Sequence, residues 1–184
     1  MLLQWQIMME TEKRQCEAMS EADKFRYFLM MQYRSPYGWG KENPMTADCS
    51  GSVCLALMMA TGLKVRTTAD GLLKKFFTVK AVKKDDITAA FFISRNDRKH
   101  GDRVAKKGEA VHVAGLIGEG VAFNCVEPSA EVRTLESLKL EYGFKGCDVI
   151  IRGLDKAALE KASKEGSDLF GLDDELSQYL GEDR

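Results

Sequence analysis

The chain predicts an α+β fold, with helices in its first third and an antiparallel sheet after them. Three observations carry this expectation. Apolar residues recur at helical spacing after Ser20, the run from Cys49 to Thr61 is apolar nearly all round, and from Ala89 onward short aromatic and β-branched segments alternate with glycine-bearing turns. With 184 residues, 45% of them apolar, the chain can bury one full core. We read residues 35–152 as that core, 1–34 as an N-terminal helical segment of the same fold, and 153–184 as an acidic helical extension.

The elements follow in order. Ser20 with Glu21, Ala22 and Asp23 has the form of a helix start; Phe25, Phe28, Leu29 and Gln32 continue the stripe, and Ser35-Pro36 stops it. A similar helix is expected before Ser20. Tyr37 to Asp48 reads as a loop through Gly38, Gly40, Asn43 and Pro44. Cys49 to Thr61 is the buried central helix, with Gly62 placed to end it. Phe76 to Val79 and Ala89 to Ile93 read as strands, and Arg95 to Gly108 as a solvated, mobile charged loop. Val111 to Ile117 and Val121 to Val126 form a β-hairpin around Gly118-Glu119-Gly120. Thr134 to Glu141 predicts a short helix and Asp148 to Ile151 a last strand. Beyond Leu154 we expect peripheral helices, with Glu160 and Lys164 at pairing distance.

Composition narrows the function. Twenty-seven Lys and Arg residues balance 28 Asp and Glu, so no overall charge steers the chain toward nucleic acid or an anionic membrane surface. No apolar run approaches the roughly 20 residues that span a bilayer. Met1 to Met9, interrupted by Gln4 and Gln6, does not read as a signal peptide. The five cysteines, Cys16, Cys49, Cys54, Cys125 and Cys147, are odd in number and form no CxxC pair, so neither a disulfide framework, a zinc site nor any other cofactor is indicated. Oligomeric state is not indicated either.

One cysteine stands out. Asp48-Cys49-Ser50-Gly51 joins the glycine-rich loop to the central helix, placing the Cys49 sulfur near unpaired backbone donors and the positive helix end, an environment that favours the reactive thiolate. Only two histidines exist. His112 lies in an apolar strand, where an imidazole needs a partner, whereas His100 sits in the charged loop and reads as a surface residue. His112 is therefore the candidate general base for Cys49. Asn124 is the candidate to orient it, with Glu127 in reserve. A three-residue turn at Gly118-Glu119-Gly120 would oppose Ala114 to Asn124 and make His112 and Asn124 diagonal neighbours on one face. A two-residue turn would reverse the parity and separate them.

These residues carry a resemblance. Pro36-Tyr37-Gly38-Trp39-Gly40 and Asp48-Cys49-Ser50-Gly51-Ser52-Val53 resemble the aromatic-Trp-Gly and Asp-Cys-Ser-Gly blocks of the NlpC-type cell-wall cysteine peptidases. Leu63 to Asp70 looks like the segment after their central helix. Asp86-Ile87 through Phe92 is similar to their Gly-Asp-Leu strand, with Lys84-Asp85 in place of Pro-Gly, and His112 to Gly118 is similar to their His-Val-Gly block. The four blocks run in the family's order from Pro36 to about Pro128. The resemblance implies a papain-like fold and a cysteine endopeptidase acting on peptidoglycan stem peptides, at the γ-D-glutamyl bond to the diamino acid. It implies that Asp48, Tyr37 and Ser50 bind a free amino group, with Trp39 as a wall of the pocket. Asn124 falls where the family most often has histidine. An amidase or transacylase on the same scaffold, and a non-catalytic binding module of a cell wall or phage particle, stay open as alternatives.

Overall fold

The computed structural model describes residues 17–43, 45–100 and 103–165. Residues 1–16 with Cys16, Pro44, residues 101–102, residues 166–184 and the side chains of His100 and Arg103 lie outside the described residues. So do the helix expected before Ser20 and the tail of the acidic extension. In chain order the elements are α1 (Glu21–Met31), β1 (Glu42–Asn43), β2 (Thr46–Ala47), α2 (Cys49–Thr61), α3 (Ala69–Lys75), β3 (Thr88–Ser94), β4 (Arg98–His100), β5 (Arg103–Ala105), β6 (Ala110–Gly118), β7 (Val121–Cys125), β8 (Ala130–Thr134), α4 (Leu135–Phe144), β9 (Cys147–Gly153) and α5 (Lys156–Lys164). The main sheet has the order β8-β7-β6-β3-β9 and is antiparallel throughout.

Local chemistry sets the helix ends. Ser20, Asp48, Thr68, Thr134 and Asp155 each accept the third following amide with a side-chain oxygen, satisfying a donor that the first turn cannot pair. Gly62 ends α2 at φ +72°, a left-handed conformation that costs glycine little.

The sheet is covered on both faces. Phe91, Val113 and Phe123 pack with Phe25 and Leu29 of α1, Val53 and Leu57 of α2 and Leu72 of α3. On the other face Phe92, Ala114 and Ala122 pack with Leu135, Leu138 and Tyr142, so α4 lies opposite the other helices. Gln32 ties α1 to α2, its Nε2 donating to the Ser52 carbonyl at 3.1 Å. The Asp70 carboxylate accepts the Ala110 amide at 3.0 Å and fixes the start of β6.

Several expectations need correction. Phe76 to Val79 is not a strand: Phe76 caps α3, both phenylalanines are buried, and Val79 makes only an isolated bridge to Gly153. The Phe-Phe-Thr-Val run satisfies β-propensity, but burial against the helices decides its conformation. The charged segment Arg95–Gly108 contains the small hairpin β4–β5, and the glycine-rich loop before Cys49 contains the β1–β2 pair. Glu160 takes Lys156 as its cation, at 3.8 Å, instead of Lys164. The hairpin also closes in an unforeseen way. Gly118 pairs with Val121, leaving a two-residue turn, but a bulge between Leu116 and Gly118 restores the parity, so Gly115 faces Phe123. Continued by one residue, that register opposes Ala114 to Asn124, as a three-residue turn would have done.

Candidate active site

Cys49 is the first residue of α2 and Asp48 its N-cap. The Asp48 carboxylate is fully engaged: Oδ1 accepts the Gly51 amide at 2.6 Å and the Ser50 hydroxyl at 3.0 Å, Oδ2 accepts the Gly40 amide at 2.9 Å, and the Arg66 guanidinium lies 3.9 Å away. One carboxylate thus caps the helix and anchors the loop in front of it. Gly51 is required by close approach, because a Cβ there would lie 2.2 Å from the Lys41 carbonyl oxygen. That carbonyl accepts the Asp48 amide at 3.0 Å, so the loop is stitched across the helix start.

The thiol is less activated than helix geometry alone suggests. Burial pushes Cys49 up to about 12, with the Asp48 carboxylate adding to the rise, while backbone hydrogen bonds from Val113 and Ser50 oppose it. Burial thus works toward a neutral thiol, opposite in sense to the helix-end effect that the sequence suggests. The Val113 contact places the sulfur against the backbone of the residue that follows His112.

His112 is buried at 6% exposure in the interior of β6. Its Nε2 lies 2.7 Å from Asn124 Oδ1, and the Asn124 Nδ2 donates to Glu131 Oε1 at 3.0 Å. A carboxylate only accepts, so Glu131 takes the amide N–H and turns the Asn124 oxygen toward the imidazole. His112 Nε2 must then donate, which leaves Nδ1 as the basic nitrogen. Tyr142 stacks on the ring at 4.9 Å and 14°, and Phe92 lies 5.1 Å away.

A cleft of about 310 Å³ opens beside His112, lined among others by Tyr37, Trp39, Arg98, Cys125, Tyr142 and Lys145. Tyr37 and Tyr142 are both within electrostatic reach of the Cys49 sulfur, and burial holds both phenols protonated. Trp39, 55% exposed, forms an outer wall. Glu127 is on the cleft wall, whereas Asn124 holds the His112 nitrogen. Ser50 is buried and donates to Asp48, so its hydroxyl is committed within the helix cap. Sequence reasoning missed Glu131, Arg98, Tyr142 and Lys145. A signal for Glu131 existed in strand parity, since it pairs directly with Asn124 across β7–β8, but that pairing required the strand after Pro128, which was not predicted. Among the described residues no group of three or more His, Cys, Asp or Glu is arranged to hold a metal ion, and no helix is long and apolar enough to cross a membrane.

Comparison with known proteins places the fold. No protein-family model matches the chain, and no curated protein matches it. Among solved structures, an NLP/P60-family lipoprotein-like protein from Staphylococcus aureus is similar over 72% of this chain and 40% of its own, with TM-score 0.51 and 18% identity. NlpC1 from Trichomonas vaginalis aligns over 72% of this chain and 43% of its own, with TM-score 0.48 and 15% identity. The NlpC/p60 domain of the peptidoglycan hydrolase SagA aligns over 68% of this chain and 93% of its own, with TM-score 0.45 and 19% identity. The chain spans about two fifths of the length of the first two. The fold is that of NlpC/P60 proteins, an α+β, papain-like arrangement with the cysteine-bearing helix packed on an antiparallel sheet.

Proposed function

We propose that the chain is a cysteine endopeptidase that cleaves amide bonds in peptidoglycan stem peptides, with Cys49 as nucleophile, His112 as general base and Asn124 as the residue that orients it. The observation that carries this reading is the His112–Asn124–Glu131 chain, which sets Nε2 as the donor and so makes Nδ1 the basic nitrogen, while the Cys49 sulfur abuts the next residue along the strand. Attack begins from the neutral pair: as the sulfur bonds to the carbonyl carbon, its proton passes to Nδ1. Asp48 consumes the Gly51 and Ser52 amides and the Ser50 amide bonds the resting Cys49 sulfur, so the Cys49 amide is the donor at the helix start that receives the oxyanion. His112 then protonates the departing amine, and water hydrolyses the thioester. The bond chosen is the γ-D-glutamyl link to the diamino acid, as the motif resemblance implies. Tyr37, Asp48, Ser50 and Trp39 form the side of the site that receives a free amino group. Because Asp48 and Ser50 are already bonded to each other, that group would bind by adding to their network.

The test is digestion of purified peptidoglycan and defined muropeptides by wild type and Cys49→Ala, with mass analysis of the soluble products. Wild type should release fragments cut at one amide bond, and the variant none. Products carrying an added amine would establish the transacylase alternative. A second reading, a non-catalytic wall-binding module, is favoured by the elevated thiol. It would be established by equal retention of both proteins on insoluble peptidoglycan with no fragments released.

A further inference from the structure

The imidazole is held by more than Asn124, and we propose that Glu131 is a positioning residue that fixes the tautomer of His112, itself locked in place by a ring of contacts that closes through α4. This rests on the reading of His112 as the base. An asparagine amide can present either its oxygen or its nitrogen to an imidazole, and the two choices demand opposite tautomers. Were Nδ2 turned to His112, Nε2 would have to accept, and the proton would sit on Nδ1, where a base for Cys49 cannot have it. Nothing in Asn124 itself decides. Glu131, directly across the ladder, decides it by receiving Nδ2–H at 3.0 Å.

Glu131 is in turn held. Arg133 Nη1 donates to Glu131 Oε1 and to Glu141 Oε2, both at 3.2 Å; Lys145 Nζ donates to Glu141 Oε1 at 2.6 Å. The same ammonium lies 4.8 Å from the centre of the Tyr142 ring, which stacks on His112 at 4.9 Å. The path therefore runs from Nε2 through Asn124, Glu131, Arg133, Glu141, Lys145 and Tyr142 back to the face of the same imidazole. The two Arg133 pairs are about a third exposed and Lys145 is about half exposed, so each ion pair is weak by itself. What the contacts supply is geometry: Asn124 holds Nε2 and Tyr142 packs on the face, so rotation and tilt of the imidazole are both opposed.

The experiment is long-range nitrogen–proton NMR on the full chain labelled with ¹⁵N-histidine, where two histidines give two ring patterns and His100→Gln assigns them. Wild type should show His112 as the Nε2–H tautomer alone. Glu131→Leu should give a mixture with a substantial Nδ1–H population, and Glu131→Gln, which can still accept, should keep more Nε2–H than Leu does. On muropeptides kcat should fall about tenfold in Glu131→Leu with KM nearly unchanged. A single unchanged Nε2–H tautomer in both variants overturns the proposal. Should Glu131→Leu not fold, Glu131→Ala, which likewise removes the acceptor, carries the test against wild type in the same terms. A wild type with no hydrolysis but with the tautomer response would refute the peptidase reading and leave the role of Glu131 standing.

Discussion

Replacing Glu42 by Gln probes the electrostatics beneath the nucleophile. Glu42 on β1 places Oε2 2.8 Å from the Arg66 Nε, while its Oε1 is buried without a hydrogen-bond partner among the described residues. Burial pushes its carboxyl from 4.5 up to about 7, the Arg66 guanidinium opposing and the Asp48 carboxylate reinforcing the shift. The Glu42 carboxylate in turn acts on Cys54, raising its thiol. Because the folded protein holds this proton more tightly than the unfolded chain, the linked stability is complete below 4.5 and is lost as pH rises through about 7. A rise of that size corresponds to about 3 kcal/mol. Glutamine keeps the shape and an acceptor for Arg66 but has no proton to lose. Urea unfolding at about pH 5 and about pH 8 should therefore show the variant gaining on wild type by about 1 to 3 kcal/mol as pH rises. A gap that stays constant, or that widens in favour of wild type, would refute the reasoning. The consequence reaches the site, since Arg66 also lies beside Asp48 and donates to the Gly40 carbonyl at 3.0 Å.

Two further predictions concern the helix start. Gly51→Ala drives a methyl into the Lys41 carbonyl and should cost about 2 kcal/mol of stability by urea unfolding, with activity falling in the folded fraction. An undisturbed variant would show that the loop does not cross the helix as described. With the thiol pushed up to about 12, iodoacetamide should label Cys49 more slowly than a free cysteine at neutral pH and faster as pH rises, followed by peptide mapping. A rate already at its plateau below neutrality would mean that a thiolate–imidazolium pair exists at rest.

Much of the site was legible because its signals are local. Ser20 and Asp48 announce their helices by capping chemistry, Gly62 ends α2 as its position requires, and the scarcity of histidine leaves His112 as the strand-borne candidate. What escaped depends on tertiary context. The seven-residue helix α3 was not predicted, although Thr68, Asp70 and Lys74 supply a cap and complementary charges, because Gly71 and the following Phe-Phe-Thr-Val run point elsewhere. The β4–β5 hairpin hides in a segment whose charges read as solvated loop. The hairpin turn was open between two parities, and the bulge at Ile117 settled it by a route no local rule supplies. The elevated thiol was also out of reach: helix position argues for thiolate, and only the packed structure shows burial winning.

The central claim is that Cys49 forms a covalent acyl intermediate with the substrate. Rapid acid quench of the protein with a defined stem peptide, followed by intact-protein and peptide mass spectrometry, reads this directly. The account predicts a mass gain equal to the amino-terminal fragment, confined to the Cys49 peptide and absent in Cys49→Ala. Fragment release by Cys49→Ala at the wild-type rate, with no adduct on Cys49 of the wild type, would contradict it.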